Sequence, residues 1–236
     1  MSSEFLIAGL VWYVVFLLST TCHEASHAWA AKLGGDLTAF HGGQVSLDPI
    51  PHIRREPFGM VIFPLLTYAT GGWMMGWASA PFDPHWSERY PRRAAWMSLA
   101  GPAANFSLAI LAGILIHVGI GTGFFRHPEV ASFTHVVDPV ATGVAAGAAT
   151  FVSLLFSLNV LLGTFNLMPV PPLDGFGALG LFVSEEIACR IQHFGRSLGV
   201  LSMIGLLLVW QVFGGIFQPV FSFALRALYP GQAYGS

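Results

Sequence analysis

Five long apolar stretches constrain this chain more than any other feature. Residues 5–30, 59–80, 94–120, 140–168 and 198–225 each reach or exceed the roughly 20 residues with which an α-helix crosses a bilayer. Four polar connections separate them, and none is long enough to hold a further soluble domain. Of the 236 residues 54% are hydrophobic and 9% charged, against roughly 25% charged in a soluble domain. A water-soluble globule is thereby excluded. A formal net charge of -2 leaves no basic field to recruit nucleic acid; the lipid bilayer and other membrane proteins are the expected partners. Cys22 and Cys189 are far apart and outside any CxxC spacing, so neither a disulfide framework nor a cysteine zinc ribbon is expected. The first stretch lacks a basic leader and a small-residue cleavage site, and is expected to be a retained membrane helix rather than a signal peptide.

Chemistry concentrates in two places. Residues 23–27 read HEASH near the end of the first stretch. On a helix, His23 and His27 project from one face and can share a metal ion, with Glu24 beside them to take a proton from water. By spacing alone this could equally be a structural helix carrying polar residues. Depth favours chemistry, because an ionisable group inside the bilayer costs about 2.5 to 3.5 kcal/mol on insertion scales and rarely persists without a partner or a function. Catalytic zinc usually takes three protein ligands, so a third is needed. The segment PVPPLDG at 169–175 follows the fourth stretch, and its prolines stop a helix. Asp174 could turn inward there, the alternative being an Asp-Gly turn at the membrane surface. A dication, two neutral imidazoles and the carboxylates of Asp174 and Glu24 sum to zero charge, which lowers the cost of burying the set.

With HEASH at 23–27, LAGPAANF at 99–106 and NLMPVPPLDG at 166–175, in this order on separate apolar stretches, the chain resembles the site-2 proteases, zinc metalloproteases that cut within membranes. The resemblance covers about residues 1–180 and is to a short form without a PDZ or CBS domain. It implies His23, His27 and Asp174 as ligands of one zinc ion per chain and Glu24 as the catalytic acid/base. It further implies Asn105 and Asn166 as substrate-contacting or site-supporting residues, with a plain interhelical hydrogen bond as the alternative. Gly101 and Pro102 are expected to permit close helix packing. The whole chain, 1–236, reads as a single membrane protease domain with its catalytic core in 1–180 and a C-terminal membrane segment at 198–225. That segment could be one tilted span or a span plus an interfacial piece.

The motifs force a topology. If all five stretches crossed the bilayer, His27 and Asp174 would end on opposite sides and could not share an ion. If 59–80 enters and returns, they coincide, and Pro64, Gly71 and Gly72 make such a break plausible. Basic residues discriminate independently. Five crossings divide them five to five; a re-entrant 59–80 puts Lys32, Arg54, Arg55, Arg89, Arg92, Arg93, Arg190 and Arg196 on one side and only Arg126 and Arg226 on the other. That is a positive-inside pattern, with the active-site end toward the cytoplasm of what the resemblance suggests is a prokaryotic cell.

The expected fold is therefore an all-α polytopic membrane protein with about four transmembrane helices, a re-entrant segment at 59–80 and a short β-hairpin-like stretch near 38–47, where residues partly alternate around Gly42-Gly43. Trp73, Trp77, Phe82 and Trp86 are expected to anchor the re-entrant loop at the interface. His41, His52, His85, His127, His135 and His193 are expected at surfaces or in loops. The expected function is intramembrane zinc-dependent hydrolysis of peptide bonds in or near transmembrane segments of a membrane-protein substrate. The substrate would be held as an added strand at 38–47 or 77–82. The rival is a catalytically silent membrane binding or assembly module that keeps the fold, against which an intact Glu24 argues. A di-iron hydroxylase would need further histidine boxes, and a rhomboid-type serine protease a GxSG; the sequence has neither.

Overall fold

A computed structural model describes residues 2–232 and 234. Helix α1 (Ser3–Gly34) starts where the Ser2 hydroxyl accepts the Phe5 N–H at 3.2 Å, and stops at Gly35, whose φ of 98° is the left-handed conformation that closes helices. Helix α6 (Pro91–Gly121) begins on a proline, where a missing N–H costs nothing. Helix α7 is Val144–Asn166 and α10 is Ser202–Leu228, entered through a 3₁₀ turn at Gly199–Leu201. Among the described residues these are the four helices long and apolar enough to span a membrane. The last stretch is thus one continuous helix, with Pro219 inside it.

Apolar residues gain nothing by leaving lipid for another apolar surface, so close approach of helices depends on small side chains. Helix α6 packs along both α1 and α7. Its Ala109, Ala112 and Gly113 are buried, and Phe106 lies over Gly163 of α7. Above this seam Trp12, Val15 and Phe16 of α1 meet Leu154, Leu155 and Leu158 of α7 in one core.

The second apolar stretch does not cross. A π-helical turn (Phe58–Ile62, 5 residues) runs into α4 (Phe63–Gly71, 9 residues), together about 21 Å of rise against a hydrocarbon core of about 30 Å. Gly72, with φ 74°, ends α4, and residues 73–83 return without regular structure. Both arms run along α1. The Tyr68 hydroxyl donates to Phe5 O at 2.8 Å near the start of α1, whereas the Asp83 N–H reaches Asp36, just past its end, at 2.8 Å. Gly59 and Gly76 let the arms and α1 touch: a Cβ on Gly76 would stand 2.4 Å from the Phe16 ring and 2.3 Å from Gly59 O. The expected re-entrant segment is therefore present, and it reaches deep along α1.

The hairpin expected near 38–47 is not formed. Asp36 accepts both the Thr38 N–H (2.9 Å) and the Thr38 hydroxyl (2.6 Å), which starts the one-turn helix α2 (Thr38–His41). The Gly42-Gly43 turn then leads to α3 (Pro49–Arg55) instead of to a partner strand. The two-stranded sheet lies at the opposite end of the bundle, where β1 (Phe125–Arg126) pairs antiparallel with β2 (Asp138–Pro139). Two residues per strand leave no period-two signal to read. At the other end sit α5 (Pro84–Arg89), α8 (Asp174–Ala178) and α9 (Glu185–Ser197).

The basic residues follow this geometry. Lys32 closes α1, Arg54 and Arg55 close α3, and Arg89, Arg92 and Arg93 lie at the α5–α6 junction. Arg190 and Arg196 lie on α9, all at one end of the bundle. Arg126 on β1 and Arg226 in the last turn of α10 belong to the other end.

Candidate metal centre

The site forms where the C-terminal third of α1, the middle of α6 and the start of α8 meet. His23, Glu24 and His27 are all buried. Asp174 is delivered by the proline-broken run 169–173, which turns back through Leu173 N–H on Val170 O at 2.9 Å. Gly175 makes that turn possible, since a Cβ there would lie 2.1 Å from Leu167 O at the end of α7. With α4 re-entrant, α6 and α7 make the two crossings that return the chain to the end bearing His27.

The ring nitrogens converge. His23 Nε2 and His27 Nε2 are 3.0 Å apart; they lie 3.1 Å from Asp174 Oδ2 and 3.2 Å from Oδ1, respectively. Potential ligand atoms of the three residues all fall within 4.8 Å of one another, and no other such His/Cys/Asp/Glu group occurs among the described residues. Each imidazole's far nitrogen faces an acceptor, His23 Nδ1 on Asn105 Oδ1 at 2.6 Å and His27 Nδ1 on Met97 O at 2.7 Å. A neutral ring that donates from Nδ1 turns the lone pair of Nε2 toward its partner. Two lone pairs and a carboxylate then point at one spot, and Asp174 Oδ2 is buried without a hydrogen bond. That arrangement calls for a cation. Tetrahedral zinc with bonds of about 2.0 to 2.1 Å would set its ligands about 3.3 Å apart, close to the spacings found. The residues fit zinc.

Gly101 on α6 forms the floor of this spot. A Cβ there would lie 2.3 Å from His27 Nε2 and 2.5 Å from His23 Nε2, so only a glycine lets both rings lie against α6.

Of the two asparagines expected near the site, Asn105 is in it. Asn166 is half-buried, and its amide donates to Leu162 O, one turn back in its own helix, at 3.1 Å. Sequence reasoning passed over Asn159. It is fully buried in α7, accepts from Asn105 Nδ2 at 2.9 Å and donates to Ser19 Oγ at 2.8 Å. Its signal was an uncharged amide inside an apolar run, the same signal that drew attention to Asn166. His52 corrects another expectation: it is buried, with Nε2 3.1 Å from Ser46 O, because α3 folds back beside α1. The remaining loop histidines, at 41, 85, 127, 135 and 193, are exposed. The three tryptophans expected to anchor the loop pack on three different surfaces. Trp73 stacks on Trp210 of α10, Trp77 meets Phe58 and Phe63, and Trp86 is buried with its indole N–H on Gly34 O at 2.9 Å.

A helix-borne His-Glu-x-x-His pair facing a distant aspartate, set among membrane-length helices, has the arrangement of a zincin-type metal centre in an integral membrane protein. The chain belongs to peptidase family M50, the site-2 proteases, whose family pattern matches residues 11–210. It is 26% identical over 226 residues to the Bacillus subtilis protein named "Putative zinc metalloprotease YwhC", an alignment covering 88% of this chain and 92% of that one. It is 29% identical over 208 residues to "Putative zinc metalloprotease Rip2" of Mycolicibacterium smegmatis, covering 88% and 70%. The Mycobacterium tuberculosis protein of the same name is 31% identical over 166 residues, covering 70% and 54%. No solved structure matches the chain significantly. The family is named for peptidases and these three relatives are named as zinc metalloproteases, so zinc is the cofactor they imply.

Proposed function

We propose that the protein is an intramembrane zinc metalloprotease that hydrolyses peptide bonds in or near transmembrane segments of membrane-protein substrates. The observation that carries this reading is the convergence of His23 Nε2, His27 Nε2 and the Asp174 carboxylate beside a buried Glu24, at one end of a bundle of membrane-length helices. His23, His27 and Asp174 would hold one zinc ion. When bound, zinc supplies Lewis-acid polarisation of the scissile carbonyl and of the attacking water. Glu24 accepts a proton from that water as its oxygen bonds to the carbonyl carbon, then hands the proton to the amine nitrogen as the C–N bond breaks. Asn105 and Met97 O hold the two imidazoles in the tautomer this chemistry needs.

A substrate helix hides its amides and must be drawn out as an extended strand before attack. The segment 73–83 supports that step. Met75 N–H donates to Thr67 Oγ1 at 3.0 Å and Trp77 N–H to Gly59 O at 3.2 Å; Ser79 O accepts from Gln44 at 3.0 Å. Odd residues are thus fastened to the protein, while the alternate ones, Gly76, Ala78 and Ala80, are small. An extended chain turns successive N–H and C=O groups to opposite sides, so a substrate strand could add to the side that the odd residues do not use. The eight-to-two distribution of basic residues supports a cytoplasmic site end in a prokaryotic cell membrane.

The test is purified full-length protein assayed for zinc content and for cleavage of a transmembrane-helix substrate, wild type against Glu24→Gln. We expect one zinc per chain in both and a cleavage rate about 10²- to 10⁴-fold lower in the variant. Equal cleavage would remove the protease reading. Zinc in both with no cleavage of any helix substrate would favour a silent binding module.

A further inference from the structure

The two histidines are oriented by different means. His27 Nδ1 rests directly on a backbone carbonyl, Met97 O, which can only accept. His23 Nδ1 rests on a side-chain amide, Asn105, which could present either its oxygen or its nitrogen. Something must set that choice, and among the described residues the group bonded to the other end of the Asn105 amide is Asn159.

The polarity of Asn159 is fixed by the backbone. Its Nδ2 donates to Leu155 O at 2.8 Å, and turning the amide over would press oxygen against that carbonyl. Its second hydrogen goes to Ser19 Oγ, whose own proton is given to Val15 O at 2.7 Å. Asn159 therefore offers only Oδ1 to Asn105. Asn105 must donate there, which turns its Oδ1 to His23 and requires the proton on Nδ1 of that ring. The bonds run from His23 on α1 to Asn105 on α6, to Asn159 on α7, and back to Ser19 on α1, one turn before His23. Asn105, Asn159 and Ser19 are all fully buried, so water offers no competing partner.

We propose that Asn159 is a positioning residue for the metal centre: anchored on Leu155 O and Val15 O through Ser19, it orients the Asn105 amide and so aims His23 Nε2 at the zinc position. The proposal rests on the metalloprotease reading. It differs from an ordinary interhelical hydrogen bond, worth about 0.6 to 2 kcal/mol in membranes, because it makes zinc affinity depend on a residue that touches neither zinc nor a ligand.

The experiment compares full-length wild type and Asn159→Leu in detergent by zinc competition against a chromophoric chelator, by the visible absorption of the cobalt-substituted protein, and by thermal unfolding of the metal-free protein. We expect zinc affinity about tenfold weaker in Asn159→Leu, the lower end for loss of a ligand's hydrogen-bond partner, with a shifted cobalt spectrum. Wild-type zinc affinity and spectrum in Asn159→Leu would overturn the proposal. So would a weakened affinity with an unchanged cobalt spectrum and a matching loss of metal-free stability, since a merely structural bond predicts that. If Asn159→Leu does not fold, Ser19→Ala, which removes one acceptor and leaves the helix backbone intact, is expected to show the same shift at smaller amplitude. Wild-type affinity there would overturn the relay. A wild-type protein that binds no zinc sinks the protease reading together with the relay, whereas zinc-binding wild type with unaffected variants sinks the relay alone.

Discussion

Replacing Gly101 with alanine should weaken metal binding severely while leaving the helices standing. The added methyl carbon would lie 2.3 Å from His27 Nε2, 2.5 Å from His23 Nε2 and 2.6 Å from His23 Cε1, and non-bonded heavy atoms settle at about 3.5 Å. The rings must therefore retreat by about 1 Å. Neither is free to do so, because each is held at its far nitrogen, by Asn105 and by Met97 O, and because Asp174 closes the third side. A metal site tolerates ligand displacements of about 0.2 Å, so zinc affinity should fall by about 100-fold or more, beyond the range for loss of an outer partner. Global stability should change little by comparison. Alanine gains about 1 kcal/mol over glycine in a helix interior, and overpacking costs about 1 to 3 kcal/mol. The assay is zinc competition and thermal unfolding of metal-free protein in the same detergent. Gly147→Ala serves as the control, because a Cβ at Gly147 in α7 meets nothing within 4 Å. Stoichiometric zinc at wild-type affinity in Gly101→Ala would refute the reasoning, since the ion could not then lie between these rings and α6.

Two further outcomes test the parts around the centre. Asp36 holds the end of the extended segment through Asp83 and starts α2 through Thr38. Asp36→Ala removes three part-buried hydrogen bonds to a carboxylate, each worth about 1.5 to 3 kcal/mol at most, and should slow cleavage with zinc affinity unchanged; an unaffected cleavage rate would show that segment 73–83 does not hold substrate. Single cysteines at Arg54 and at Arg89, in a background with Cys22 and Cys189 changed to serine, flank the re-entrant segment and should label from the same membrane face as one at Lys32. Labelling of Arg54→Cys and Arg89→Cys from opposite faces would mean that the segment crosses.

How much was legible in the residues varies with the range of the interaction involved. Helices α1, α6, α7 and α10 could be read because a membrane span is a local property, a run of apolar side chains long enough to satisfy its backbone inside lipid. His23, Glu24 and His27 could be read because a helix fixes the relation of neighbours four apart. The re-entrant course of 59–80 was legible only indirectly, through the requirement that His27 and Asp174 meet and through the distribution of arginine. Short-range alternation misled at 38–47, where the turn that Asp36 makes onto Thr38 leads into a helical turn instead of a strand.

The sequence by itself determined the apolar spans and the one-face spacing of His23 and His27, since both follow from composition and local spacing, while the parity of crossings followed from the distribution of arginine. Only the tertiary structure decided which asparagine matters and why Gly101 must lack a side chain. Asn159 and Asn166 are alike as letters in one apolar run, but one turns its amide to Asn105 and Ser19 across the bundle while the other bonds its own helix. Contacts of that kind join residues 54 and 140 positions apart, and their partners are set by how helices pack against one another, which no local pattern encodes.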